Sequence, residues 1–201
     1  MSIDILFIEE IIYDIMGKPM KRKSKLPLER KDQNMKLSVG VEYAIHCLLY
    51  MVNIEAGKSV GIKDLATFQG ISETYLSKVF TKLSKAGIVK SVPGAKGGYE
   101  LARDAKEITF WDIVEAVEGN ESFFQCAEIR RNNVLLDKEN LPDSHTKCPC
   151  LIKVVMLEAE DEMKKYLSKK TLAWLHKEVY SNILSEDIVN ATNEWFDDRM
   201  K

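Results

Sequence analysis

Residues 61–99, GIKDLATFQGISETYLSKVFTKLSKAGIVKSVPGAKGGY, constrain this chain more than any other stretch. Ile62 to Gln69 reads as a short helix that stops at Gly70. Ser72 then stands where an N-cap is needed, because its hydroxyl accepts a backbone N–H that the first helical turn leaves free. The spacing predicts a second helix from Glu73 to Ala86, closed by Gly87, a residue that tolerates positive φ. Leu76, Val79, Phe80 and Leu83 recur at i, i+3, i+4 and i+7 and make one apolar stripe. Thr74, Ser77, Lys78, Thr81, Lys82 and Lys85 fill the other face, which carries no acid after Glu73. Ile88 to Val92 and Tyr99 to Ala102 read as two short strands, with PGAKGG as the tight loop between them and Lys96 at its tip. Helix, turn, helix and glycine-rich hairpin in that order is the winged form of the helix-turn-helix.

The polar face of the second helix suits a major groove, where lysines meet phosphates and hydroxyls or amides meet base edges. Pattern alone fits an ordinary solvated face equally well; the hairpin that follows shifts the reading toward DNA. The expected contacts are Ser72, Thr74, Tyr75, Ser77, Lys78, Thr81 and Lys82 on the helix, with Lys96, Gly97 and Gly98 in the wing. The partner is then double-stranded DNA.

The flanks extend this head. Ser38 can cap a first helix running to about Ala56, with Val41, Ile45, Leu48 and Val52 as its apolar stripe and Gly57 as its stop. Cys47 lies on the apolar side and reads as a buried, inert thiol. Thr109 can cap a helix from Phe110 to Glu118, paired with Asp112 in a capping-box-like arrangement. Phe110, Ile113, Val114 and Val117 face inward, and Gly119 stops the helix. Residues 132–147 read as a polar surface loop. Cys150 to Ser168 reads as a long helix ending in positive charge, and Thr171 caps a short one, TLAWLHKEV. The expected divisions are a winged helix-turn-helix over 35–120, a cysteine-bearing loop over 121–149, two helices over 150–179, and an acidic tail over 180–201 with no functional reading. Residues 1–34 combine ILFIEEIIYDIM with a basic, proline-broken linker. They read as a disordered or non-native extension, with Met35 as the working start; a basic arm on DNA phosphates is the alternative. The fold class is mainly α with a small β-wing.

A net charge of −2 does not favour a nucleic-acid binder, but its distribution does. Residues 35–110 carry an excess of Lys and Arg, and residues 111–201 an excess of Asp and Glu. A basic head and an acidic remainder fit a DNA reader with a separate assembly and sensing end. No apolar run is long enough to span a bilayer, so the expected location is cytoplasmic and no membrane partner is expected. Four cysteines in a reducing compartment point to metal or redox chemistry rather than a disulfide framework. The competing class is an enzyme, a small thiol oxidoreductase. Against it, the chain has no C-x-x-C, no phosphate-cradling loop between strand and helix, and no paired nucleophile and base.

At this point the chain resembles a known family. MKLS at Met35, ISETYLSKVFTKLSKAGIVKSVPGAKGGYELAR, EITFWDIVEAVEG and then a cysteine follow the order and spacing of the Rrf2 family of bacterial winged-helix transcription regulators, over Met35 to about Val179. The resemblance implies a dimeric DNA-binding repressor or activator, with the 150–168 helix crossing to the partner subunit and the pair reading a pseudo-palindrome. Within the family, MKLSVGVEYAIHC, CAEIR and the last cysteine before the long helix look like the 2Fe–2S redox-sensing branch typified by RsrR, rather than the three-cysteine IscR or NsrR pattern. That likeness implies a 2Fe–2S cluster held by Cys126 and Cys150 of one subunit and Glu42 and His46 of the other, with Cys148 as the alternative to Cys150.

The implied chemistry is reasonable on its own terms. Thiolates are the ordinary ligands of iron–sulfur clusters, and imidazole can replace them on one iron. Glu42 and His46 are i, i+4 and share a helix face, which equally suits a plain surface pair. Two other readings stay open: a regulatory disulfide among Cys126, Cys148 and Cys150, and a zinc site from His145, Cys148 and Cys150.

Overall fold

Helix α1 (Val39–Met51) is apolar on most of its circumference, which places it inside rather than on the surface. Gly40, Val41, Ala44, Cys47, Leu48, Leu49 and Met51 are all buried. Helices α2 (Ile62–Gln69), α3 (Glu73–Lys85) and α4 (Phe110–Glu118) pack around it, and the strands β1 (Val89–Val92) and β2 (Gly98–Leu101) close the group. These elements come from a computed structural model, which describes residues 37–55, 57–94 and 97–199. The expectations for residues 1–34, for Met35 as the start and for Lys96 lie outside the described residues.

Local sequence explains the head closely. Gly70 ends α2 in the left-handed conformation, φ 65° and ψ 34°, where a side chain would be strained. Its N–H and that of Ile71 return to the last carbonyls of α2, so the turn into α3 is hydrogen-bonded throughout. The Ser72 hydroxyl accepts from the Tyr75 N–H at 3.4 Å, as an N-cap should. The stripe Leu76, Val79, Phe80 and Leu83 is buried, and Phe80 meets Tyr99 of the wing edge to face at 5.0 Å. Each such side chain contributes roughly 1.5–3 kcal/mol by leaving water. At α4 the full capping box forms: Asp112 N–H donates to the Thr109 hydroxyl, and Thr109 N–H to the Asp112 carboxylate.

The wing is a two-stranded antiparallel hairpin, with Val89 opposite Leu101 and Val92 opposite Gly98. Val60 bridges to Tyr99 through two backbone hydrogen bonds of 3.0 and 2.9 Å, adding a third edge. This bridge explains one departure from the sequence reading. Helix α1 stops at Met51, short of Ala56, because the chain must turn back in time to bring Val60 beside the wing. Two i to i−3 bonds, Val52 N–H to Leu49 and Ile54 N–H to Met51, tighten the exit. The inward set of α4 also differs: Trp111 is buried, while Phe110 is half-buried against Trp174.

Beyond Gly119 the chain runs through a one-turn 3-10 helix, Ile129–Asn132, and the short α5 (Asp143–Thr146) into α6 (Leu151–Leu167). Helix α7 (Leu172–Glu178) returns to the head. Leu172 N–H donates to Ile108 and Phe110 N–H to Lys170, and Leu172 is fully buried. Residues 180–199 of the acidic tail expected over 180–201 are described, and they are folded. A π-helical turn, Val179–Ile183, leads to α8 (Glu186–Asp197). Phe196 is buried, stacks on Tyr50 at 5.4 Å and touches Phe68 at 4.8 Å, while Trp195 lies 4.8 Å from Phe68. The acids face outward and the aromatics inward, so composition alone hid a docked amphipathic helix.

Candidate DNA-reading face and cysteine site

Helix α3 presents Ser72, Thr74, Tyr75, Lys78, Thr81 and Lys82 as exposed residues, with Ser77 half-buried. Several have partners that bear on their use. The Thr81 hydroxyl donates to the Ser77 carbonyl at 2.8 Å, a bond that must break if it turns to a base. Tyr75 lies edge to face with Tyr43 of α1 at 5.7 Å, and a Cβ on Gly40 would come within 3.1 Å of its hydroxyl. Tyr75 is thus partly a packing residue. Lys82 differs most from the sequence expectation. Its ammonium donates to the Val117 carbonyl at 2.6 Å, capping the C-terminus of α4, where a cation is favoured. Among the described lysines of the expected set, Lys78 is exposed and keeps its ammonium free of bonds within the chain.

Gly97 and Gly98 have a steric task as well. A Cβ at Gly97 would collide with the Val92 carbonyl, and one at Gly98 with the Val60 carbonyl. Both positions therefore need glycine for hairpin closure, whatever they do toward DNA.

The end of α4 is a junction. While Lys82 of the reading helix holds Val117, the Ser38 N–H at the head of α1 donates to the Glu118 carboxylate at 2.7 Å. Gly119 follows at once and opens the cysteine loop. Ser122 donates to Glu160 of α6 at 2.7 Å, and the Phe123 N–H donates to the same oxygen at 3.2 Å. The loop is thereby tied to α4 at one end and to α6 at the other.

Within it, Cys126 and Cys150 come together, although 23 residues separate them in the chain. The Cys126 thiol donates to the Glu128 carboxylate at 3.9 Å and is one of the groups that act on the Cys150 thiol. Cys150 is 9% exposed and occupies the N-cap position of α6. The Lys153 and Ile152 backbone N–H groups at the head of that helix, the Cys126 thiol and the Arg130 charge together hold its thiol below the ordinary range. Cys148 is exposed. Arg130 stands beside the pair. Its Nε donates to Glu128 at 2.9 Å, and its two terminal nitrogens donate to the Ser144 carbonyl at 3.2 Å and the Cys148 carbonyl at 2.6 Å. Arg131 adds a bond to the His145 carbonyl at 3.1 Å. Glu128 has φ 51°, the one positive φ outside glycine among the described residues, and its carboxylate serves both arginines. Sequence reasoning missed both arginines; the signal was RR two residues after a Glu that follows a cysteine, which reads as surface charge.

Glu42 and His46 are both exposed on α1 and line a shallow cleft with Tyr43, Gln69 and Ile71. They do not join the thiols of their own chain. Among the described residues no three His, Cys, Asp or Glu side chains converge, His145, Cys148 and Cys150 included. Cys47 is fully buried and its thiol is pushed up to about 12 by burial alone, so it is inert as expected.

Helix α6 has no buried residue along its length. Leu151 is 74% exposed, Ile152 66% and Val155 54%. No helix of the described residues is long and apolar enough to cross a membrane.

Comparison with known proteins agrees with this architecture. A family model described as Rrf2, iron-dependent transcriptional regulator, matches residues 37–178. The protein rrf2 of Nitratidesulfovibrio vulgaris is 36% identical over 144 residues, covering 72% of this chain and 89% of that protein. The HTH-type transcriptional regulator NsrR of Geobacillus kaustophilus is 30% identical over 139 residues, covering 69% and 88%. Among solved structures, T. potens IscR superposes with a TM-score of 0.55 at 25% identity, covering 78% of this chain and 96% of that one.

Proposed function

The chain belongs to the Rrf2 family of transcriptional regulators, which are not enzymes, and we propose that it binds a pseudo-palindromic operator as a homodimer and senses redox or iron–sulfur status through a 2Fe–2S cluster. The observation that carries the sensing reading is the meeting of Cys126 and Cys150 at the head of α6. A second thiol beside Cys150, whose own thiol is held toward the thiolate state, suits one iron of a cluster. Glu42 and His46 of the partner subunit complete the set, consistent with their exposure on α1. A bound cluster would supply a one-electron redox change. The protein's own part is to hold the thiols at one place and to link that place, through Gly119 and the α4 end, to Ser38 and Lys82 of the reading head. Toward DNA, Lys78 meets phosphate while Thr74, Ser77 and Tyr75 approach bases, with Ser72, Thr81 and Lys82 behind them; Lys96, Gly97 and Gly98 form the wing contact.

The dimer reading rests on α6. Its exposed Leu151, Ile152 and Val155 form an apolar strip that a second α6 covers by two-fold symmetry. Iron and sulfide analysis of anaerobically purified protein tests the cluster. Cys126→Ala and Cys150→Ala should lose it, Cys148→Ser should keep it, and His46→Ala should shift its spectrum. Mixed His46→Ala and Cys150→Ala chains should recover one site per heterodimer; no recovery would place all ligands in one chain. A second reading has the same support. If the anaerobic protein is colourless, the adjacent Cys126 and Cys150 act as a thiol–disulfide switch.

A further inference from the structure

Of the two thiols in the Cys148–Pro149–Cys150 run, Cys150 is buried and interacts with Cys126, while Cys148 is exposed. The choice is not made by sequence distance, since Cys148 and Cys150 are two residues apart. Nor is it made by the cysteines, which are chemically alike. It is made by whatever orients the 144–150 backbone. The hydrogen bonds that cross from the Cys126 side of the loop to this segment come from two arginines. Arg130 spans Ser144 and Cys148, and Arg131 reaches His145. The Cys148 bond is the short one, at 2.6 Å from a charged donor. It fixes the Cys148 carbonyl toward Arg130 and leaves the Cys148 side chain exposed. One residue past the rigid Pro149, Cys150 then enters the N-cap position of α6 beside Cys126. Arg130 is itself oriented by the Glu128 carboxylate, two residues from Cys126.

We propose that Arg130 is a positioning residue that selects Cys150 over Cys148 as the partner of Cys126. Only an arginine fits the task. Its planar fork carries separate donors to Glu128, to Ser144 and to Cys148, whereas a lysine ammonium at one point cannot reach three acceptors held apart. The inference deepens the cluster reading, because it names the group that decides a ligand, but its test does not need a cluster.

The test is disulfide mapping. Full-length protein, stripped of metal under anaerobic conditions, is titrated with diamide, and the pairing is read by mass spectrometry of non-reduced peptides. Each disulfide forms as two thiols release two protons and two electrons, which reduce diamide to its hydrazine. Wild-type protein should give Cys126–Cys150 as the main product. In Arg130→Ala the ratio of Cys126–Cys150 to Cys126–Cys148 should fall about tenfold, the size expected for a lost hydrogen bond from a charged donor. Arg130→Lys should show the same direction while keeping the charge, and serves alone if the alanine variant does not fold. An unchanged ratio in a folded variant overturns the proposal, as does a wild-type product dominated by Cys148. Iron and sulfide content of the same proteins after reconstitution separates the two readings. A ratio that shifts in a protein that binds no cluster leaves Arg130 in its role and removes the cluster. A cluster lost in Cys150→Ala, beside an unshifted ratio in Arg130→Ala, does the reverse.

Discussion

In the reading head, the inner faces of α1, α3 and α4 meet apolar partners within the chain; on the 17-residue α6, no residue is buried at all. The head buries Leu48, Leu65, Leu76, Phe80, Leu83 and Ile113 completely, and its turns are closed by hydrogen-bonded caps. The arm is held differently. Glu160, Arg130 and Arg131 fasten it through polar bonds, and its apolar strip lies outward. The difference divides the energetics. Most of the chain's burial resides in the head; on α6, Met163 and Leu167 pack against that core, while the outward strip gains a share only where a second surface covers it, which makes that share dependent on concentration.

The strongest way to break this division is to remove a core ring on one side and an exposed methyl pair on the other. Phe80→Ala should cost about 3–5 kcal/mol in urea unfolding. Val155→Ala should leave the unfolding of dilute protein nearly unchanged and raise the dissociation constant measured by sedimentation. If Val155→Ala destabilised dilute protein as Phe80→Ala does, the strip would be packed within the chain and the division would fail.

A second test asks whether α8 belongs to the head. Phe196→Ala should lower stability by about 3 kcal/mol, the lower end for a buried ring, because it opens the contact with Tyr50 and Phe68. Cleavage after Ile183 that left the urea midpoint in place would return residues 184–199 to the status of a tail.

The capping box gives a smaller, purely local effect. Thr109→Ala should cost about 1 kcal/mol, read by the same unfolding curve, with Thr109→Ser recovering most of it. Smallest in energy is the contrast between Lys78 and Lys82. Lys78→Ala should reduce the slope of log affinity against log salt by about one unit. Lys82→Ala should change the slope less and the melting temperature more, since its ammonium already serves the Val117 carbonyl. Equal slope changes would mean that Lys82 leaves α4 when DNA binds.

Much of the head was legible because its signals are short-ranged. A serine before a helix, a glycine after it and apolar residues at i, i+3, i+4 act within one or two turns, so Ser72, Gly70, Thr109 and Gly119 could be read without neighbours. The misreadings share the opposite character. The sequence pattern carries helix α1 to Ala56 because nothing local halts it at Met51; the bridge from Val60 to Tyr99, a residue well outside the local window, does. Residues 180–201 read as an acidic tail on charge, because no local signal matches their aromatic residues to Tyr50 and Phe68.

The order of helices, the caps, the wing and the family likeness follow from the chain alone, because each depends on residues close in sequence whose conformational preferences are strong. The pairing of Cys126 with Cys150, the grip of Arg130 on the Cys148 carbonyl and the diversion of Lys82 to Val117 do not. Each joins groups that many chain paths could bring together or keep apart. Their selection depends on where packed helices leave a carbonyl without a partner, and on which charged side chain is long enough to reach it.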